Sequence, residues 1–455
     1  MSTVDTVTRT GRDVLLAPLA TLLAIAARPA VLAAAAVLLV CVPGGDRDPA
    51  TVNLTAADLA SAALVAAAAA RALVGDRLPP ARLWVVLAVG VLGCAVATFA
   101  TPDPLASLPG FVRYLQLFVL VPVAVTIALR TRRDLVIVCG AVLIAALIQG
   151  LVGTHQYLTR TGAAFGGRPV RAVGTFSALD VMGMSTVVGY GLVVAVGLAL
   201  VLRGPTRYVL LALAAFLALP LVFSLSRGAL VATMVALAVM LIAASPRLAL
   251  RTAVFGAAVV VVAVGVLGTP GGVVAQRVAT VRTALAAPDR SVTDRFELWQ
   301  TAVGMWRDSP VTGVGPKMFP RYRDSYAPLH MSSGSDVADR DLGFRRASLL
   351  SPHNMYLLVL SEQGLFGGLA FAGLLAGLGV ATWRRTRRAA GPIGPPDARV
   401  HDGRLVSAVA VGVVTWTAVN FLYADIGGAS SVFISVLLGV ALWWATRPLA
   451  RESPA

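Results

Sequence analysis

The chain has 455 residues, 57% of them apolar and 13% charged, with a formal net charge of +16 and a mean hydropathy of +0.81. That balance lies far from the composition of soluble globular domains and marks a polytopic membrane protein. The excess of basic residues is mostly short-connection Arg flanking apolar runs, with no basic domain and no interleaved aromatic platform, which argues against a nucleic-acid partner.

In chain order, the apolar runs predict about twelve helices long enough to cross a hydrocarbon core of roughly 30 Å, each satisfying its own backbone hydrogen bonds. The first six segments are Leu15 to Val42, Leu54 to Val74, Leu83 to Phe99, Phe111 to Leu129, Leu135 to Leu158 and Val181 to Leu202. The next three are Tyr208 to Phe223, Ala229 to Ala244 and Leu248 to Leu267. After a long polar excursion come Met355 to Trp383, Leu405 to Tyr423 and Ala429 to Trp444. Arg28-Pro29 interrupts the first segment.

Counting that segment as one span sends Arg130/Arg132/Arg133, Arg203/Arg207, Arg247/Arg251, Arg384/Arg385/Arg387/Arg388 and Arg447/Arg451 to the cytoplasm, as the positive-inside rule requires. Splitting it into two would put Arg130-Thr131-Arg132-Arg133 outside. An even number of spans with both termini cytoplasmic is therefore expected, in a plasma-membrane protein whose long loop, 269–352, is extracytoplasmic. The fold class expected is an all-α polytopic bundle with one large outer loop containing short helices. Three regions are expected: an N-terminal bundle over 1–204, a core over 205–370 that includes the loop, and C-terminal helices with a cytoplasmic tail over 371–455. Cys41, Cys94 and Cys139 fall in apolar runs and read as buried thiols. Met1 to Asp13 leads into the first span without a small-residue cleavage site, so no cleavable signal peptide is expected.

The candidate chemistry lies on the outer side. Phe165-Gly166-Gly167-Arg168-Pro169-Val170-Arg171 could hold a sugar phosphate or form a turn. Arg227, in Ser224-Leu225-Ser226-Arg227-Gly228, is an isolated cation at an outer span junction. It either snorkels to headgroups or clamps an anion, for which its planar fork suits phosphate oxygens. Ser291 to Asp308 predicts an amphipathic helix opening on a capping box of Ser291 and Asp294, with an apolar face of Val292, Phe296, Trp299, Val303 and Trp306. Such a helix would lie along the membrane surface or plug the outer mouth of the bundle, with Arg295 near the edge of the apolar face, solvated or reaching a headgroup.

Ser309-Pro310 ends that helix, and Gly313-Val314-Gly315-Pro316 reads as a tight turn, since no Gly-Lys-Ser/Thr follows to make a phosphate loop. Asp336, Asp339 and Asp341 form an acidic cluster in a Ser/Gly-rich stretch and read as solvated loop charge; no metal site is expected. His353 stands at the outer interface with Asn354 as a helix cap beside it, where an imidazole can take a proton from an attacking hydroxyl. Glu362 follows about 12 Å further along the helix, at apolar depth, which suggests a structural or orienting role.

Taken in order, Ser226-Arg227-Gly228 after a span, Arg295 with Trp299 before Ser309-Pro310 and Gly313-Val314-Gly315, and His353-Asn354 before Glu362-Gln363-Gly364 resemble the O-antigen ligase and O-antigen polymerase superfamily. These are integral-membrane glycosyltransferases that use polyprenyl-diphosphate-linked glycans. The resemblance is strongest from Tyr208 to Gly368. It implies that Arg227 and Arg295 bind the lipid diphosphate and that His353 activates the acceptor. Arg171, Asn354, Glu362 and Trp299 become candidates for binding or orienting substrate. The implied reaction inverts the anomeric centre, needs no metal or cofactor, and moves a lipid-linked glycan onto a cell-envelope glycan, lipid or protein acceptor. A polysaccharide polymerase and a protein O-oligosaccharyltransferase differ only in acceptor. One departure stands out: where the family tends to follow Gly-Thr-Phe with Asn/His-Pro-Asn, Gly174-Thr175-Phe176 is followed by Ser177-Ala178-Leu179-Asp180. The rival class, a transporter or lipid-linked-glycan flippase, would need ionisable groups at depth or repeated halves, and the sequence offers Glu362 and little else.

Overall fold

The computed structural model describes residues 28–43, 54–75, 78–165, 171–176, 180, 182–254, 290–329, 331, 334–339, 343–389, 398–428 and 430–447. Its helices are α1 (Pro29–Leu38), α2 (Ala56–Leu73), α3 (Ala81–Ala100), α4 (Pro104–Leu115), α5 (Val121–Ala128), α6 (Arg132–Thr159), α7 (Gly183–Ala199), α8 (Pro205–Phe223) and α9 (Arg227–Ala244). In the outer loop lie α10 (Arg290–Asp308) and α11 (Phe319–Tyr326), and α12 (Met355–Ala389), α13 (Ala398–Asn420) and α14 (Ser430–Thr446) complete the order.

Among the described residues, seven helical stretches, with α4 to α5 counted as one, are long and apolar enough to span a membrane, and four shorter apolar helices accompany them. The expected ninth span, Leu248 to Leu267, lies within the described residues only to Val254, and the expected first span only from Arg28 onward. Where the first span is described, Pro29 is the first residue of α1, a position at which the missing N–H costs nothing.

The short helices form the centre. Nearly every residue of α7 and α14 is buried, whereas the long helices bury only 28–56% of their apolar stretch inside the protein. A helix apolar on all sides belongs at the middle of a bundle, and one with an outward apolar face meets lipid. Small residues let the backbones approach: Gly191 of α7 lies so close to Ala146 of α6 that a Cβ would overlap it. Inside, the Trp416 indole N–H donates to Thr233 Oγ1 at 2.9 Å and the Tyr190 and Thr417 hydroxyls meet at 2.6 Å.

Besides Glu362, the bundle buries a carboxylate near a helix end. Arg113 of α4 forms an ion pair with buried Asp58 of α2, and Gln116 donates to Asp58 Oδ1 at 3.1 Å and to Ser61 Oγ at 2.9 Å. Gln116 opens a π-helical turn, Gln116–Leu120, joining α4 to α5, and the Ser435 hydroxyl donates to Leu117 O in that turn at 2.6 Å. Asp58 also belongs to a capping box with Thr55, so its charge sits at a helix end where backbone amides and Arg113 both stabilise it.

The connections at one end of the bundle are tied together. Asp103 and Arg321 form an exposed ion pair at 2.7 Å, and the Ser107 hydroxyl donates to Pro316 O at 2.9 Å. Three short strands, β1 (Ala164–Phe165), β2 (Gly334–Asp339) and β3 (Gly343–Ser348), make a small antiparallel sheet in that order. Thus the α6–α7 connection and the long loop share one face. Asp336 and Asp339 lie on β2, while Asp341 lies outside the described residues.

The long loop is anchored by a break in α12. Gly364 has φ 65°, outside helical geometry, and the Pro310–Gly315 turn inserts there. Val314 N–H donates to Ser361 O and Gly315 N–H to Glu362 O, both at 2.9 Å, and Leu365 N–H donates to Pro310 O at 2.8 Å. The break would otherwise leave buried backbone groups unpaired; the inserted turn pairs them. The Gly313–Gly315 turn expected from sequence is present, with φ of 68° at Gly313 and 105° at Gly315.

A correction concerns α10. It is already helical at Arg290, so Ser291 lies inside the helix rather than capping it. Its buried face is not the expected apolar one but Leu298, Ala302 and Met305 with Asp294, Glu297 and Thr301, packed toward α12. Of the expected apolar face, Phe296 is exposed and Trp299, Val303 and Trp306 are half-buried. Periodicity counts only apolar side chains, whereas this interface with protein also takes in polar ones.

Candidate functional site

Three segments converge on the short connection between α13 and α14. The first is the start of α9. Ser226 caps it, its hydroxyl accepting from Ala229 N–H at 3.4 Å, after Leu225 turns the chain with φ 53°. Arg227 is therefore the first helical residue and is exposed, and next to it Gly228 lies so close to Tyr423 that a Cβ would sit 2.7 Å from the Tyr423 Cβ. The second is α10, from which Arg295 Nη1 donates to Tyr423 O at 3.1 Å. The third is the start of α12, where Met355 N–H donates to Phe421 O at 2.8 Å and to Ala424 O at 3.1 Å.

His353 lies in the turn before α12, with φ 47°. Asn354 caps the helix as expected, its Oδ1 accepting from Tyr356 and Leu357 N–H at 3.1 Å each. Trp299 Nε1 donates to Pro352 O at 3.0 Å, tying α10 to the same turn. Ser351 accepts from His353 N–H at 3.2 Å and donates its own hydroxyl hydrogen to the Asp425 carboxylate.

The electrostatics follow from this gathering. Burial lowers the proton affinity of the His353 imidazole, the Asp425 carboxylate raises it, and the Arg295 guanidinium lowers it again; the net direction is down. Arg295 is shifted down as well, first by burial, against the pull of Asp425 and with the repulsion of Arg227. Two guanidiniums and an imidazole thus share a pocket of field with one carboxylate. Arg keeps its charge under such conditions, so the two guanidiniums are cations that an anion can meet there.

Asp425 is the functional candidate that sequence reasoning missed. The available signal was topological: it is the acid in the short connection between the last two spans, on the side expected for the long loop. Asp180, which marks the departure from the family pattern, abuts the same connection at Gly428, where a Cβ would overlap its carboxylate.

Other candidates lie apart. Glu362 sits at the break in α12, its Oε1 accepting from Phe319 N–H at 3.0 Å, which holds the start of α11 against the bundle. Arg171 pairs its backbone with Ala163, and Ala172 N–H donates to Phe223 O at 3.1 Å, so this segment borders the end of α8. Gly174 and Thr175 are clamped by α6: Gln156 Oε1 accepts from Gly174 N–H at 2.8 Å, and Gln149 Oε1 from Thr175 N–H at 2.9 Å.

Residues 211–372 match the family model described as O-Antigen ligase, a span that takes in α9, α10, the His353 turn and the break in α12. That segment carries an O-antigen ligase domain. Arg227, Arg295 and His353 all fall inside the matched span, whereas Asp425 lies beyond it. No curated protein matches the chain significantly.

Proposed function

We propose that this O-antigen ligase relative transfers a glycan from a polyprenyl-diphosphate carrier to a cell-envelope acceptor on the outer face of the plasma membrane. The observation that carries the reading is the convergence of Arg227, Arg295 and His353 on the 421–425 connection. Two guanidiniums would hold the diphosphate with the prenyl tail left in lipid. The acceptor hydroxyl attacks the anomeric carbon, its O–H proton passes to His353, and the bond from that carbon to the diphosphate oxygen breaks with its electron pair on the leaving group. Charge then grows on the diphosphate, where fixed cations at the low-dielectric interface stabilise it most. Direct displacement inverts the anomeric centre. The energy is already stored in the glycosyl-diphosphate bond, so the chemistry asks for neither nucleotide nor metal.

Asp425 would serve as the countercharge to this cluster and, through Ser351, would hold the backbone of the His353 turn. The test is a deletion strain complemented at matched expression with the wild type, Arg227→Ala, Arg295→Ala or His353→Ala, with polyprenyl-diphosphate-linked glycan measured by mass spectrometry. Accumulation that only the wild type clears is the expected result. Unchanged lipid-linked glycan in the deletion, or full complementation by the variants, would refute the proposal.

A further inference from the structure

The outward flank of α10 carries aromatic surface that the bundle does not use. Phe296 is 55% exposed although it is a large apolar ring in a helix whose buried face already packs toward α12. Its ring meets that of Trp299, one turn away, with centroids 5.3 Å apart and planes at 72°. The Trp299 indole is fixed in turn by its N–H bond to Pro352 O, one residue before His353. The pair is thus a braced aromatic surface, contiguous in sequence with Arg295 and tied through Pro352 to the turn of His353.

The occupant that suits such a surface is a sugar ring. One face of a pyranose presents C–H bonds of partial positive charge, which match the negative face of an aromatic ring, while its hydroxyls remain free at the edges. The first sugar of a lipid-diphosphate donor is bonded directly to the phosphate, so it must lie beside whatever holds that phosphate. Binding energy placed there also orients the anomeric carbon.

We propose that Phe296 and Trp299 form the subsite for the first sugar of the lipid-linked donor, stacking its ring beside the diphosphate held by Arg227 and Arg295. The inference rests on the diphosphate reading above and deepens it by assigning the sugar contact to α10. Phe296 is the contact residue, and Trp299 both contacts the ring and braces the His353 turn.

The test measures binding to the full-length protein in lipid nanodiscs, using undecaprenyl diphosphate and the same lipid bearing one N-acetylglucosamine. For Phe296→Leu, affinity for the sugar-bearing lipid should fall about five- to tenfold, while affinity for the bare diphosphate stays within twofold, the scale of a stacking contact. Trp299→Phe keeps a ring but loses the bond to Pro352; it should retain sugar discrimination and slow transfer. Equal losses for both lipids in Phe296→Leu would assign this surface to the prenyl chain or the bilayer and overturn the proposal. Wild-type protein that binds both lipids equally would also overturn it. If the wild type binds neither, or if Arg227→Ala and Arg295→Ala bind the bare lipid as tightly as the wild type, the diphosphate reading itself fails and the subsite falls with it.

Discussion

At the scale of single residues, His353 combines two properties that seldom coincide. Its φ of 47° is a left-handed conformation that costs most side chains about 1–2 kcal/mol, and its imidazole is depleted of proton affinity by burial and by Arg295. Asn accepts left-handed backbone more readily than most residues, so His353→Asn should keep the turn and remove the base. Transfer is expected to fall about 10²- to 10⁴-fold with donor binding retained. The pH profile gives the complementary check. Because the folded imidazole protonates below its ordinary value of about 6.5, activity should hold as pH falls through that value and be lost only further down. Asp425→Asn removes the group that raises the imidazole and should move the acidic limb lower still. The linkage has the same sign: below about pH 6.5 the unfolded chain takes up the proton first, so His353 lowers stability as pH drops toward its folded value. An acidic limb that moves upward in Asp425→Asn would contradict this electrostatic picture.

Among elements, the break in α12 decides how the outer loop is held. Gly364 tolerates φ 65°, and a Cβ there would overlap the Val311 carbonyl. Gly364→Ala should therefore straighten the helix or expel the Pro310–Gly315 turn, at a cost of roughly 2–5 kcal/mol from backbone strain and overpacking together. Limited proteolysis would report it as faster cleavage within 309–326, and Asn354→Ala, which loses only a cap worth about 1 kcal/mol, supplies the comparison. Equal protection of Gly364→Ala and the wild type would show that the inserted turn does not depend on the break. This feature was hardly legible in sequence, because Ser361-Glu362-Gln363-Gly364 inside an apolar run reads as uninterrupted helix. The Gly313–Gly315 turn was legible, since paired glycines before proline have few alternatives. The face of α10 was misread for a related reason: its interface includes Asp294, Glu297 and Thr301, which an apolar periodicity ignores. Arg227, Arg295 and His353 were legible through their order along the chain, whereas Asp425 joins them only once α13 and α14 bring their connection beneath α10.

Across the whole molecule, the arrangement of charge predicts the side on which this chemistry occurs. The candidate site is assembled from the start of α9, α10, the turn before α12 and the α13–α14 connection, all at one end of the bundle. The opposite end carries Arg130, Arg132, Arg133, Arg203, Arg207 and the Arg384 to Arg388 cluster, beside aromatic anchors. There Arg385 lies 4.6 Å from the Trp444 ring, Arg387 4.8 Å from Trp383, and Arg447 5.1 Å from Trp443. Short connections rich in Arg remain cytoplasmic, and Trp settles at the headgroup level, so this end should face the cytoplasm and the site should face outward. Cysteine labelling tests that orientation. Cys94 and Cys139 are buried, and Cys41→Ser removes the remaining, partly exposed thiol. On that background Leu329→Cys and Gly427→Cys, both at exposed positions on the site face, should react with a membrane-impermeant maleimide in intact cells. Thr206→Cys, exposed at the other end, should react only after permeabilisation. The reverse pattern would place His353 in the cytoplasm, where a lipid-linked glycan already presented outside cannot reach it, and the transferase reading would fail with the topology.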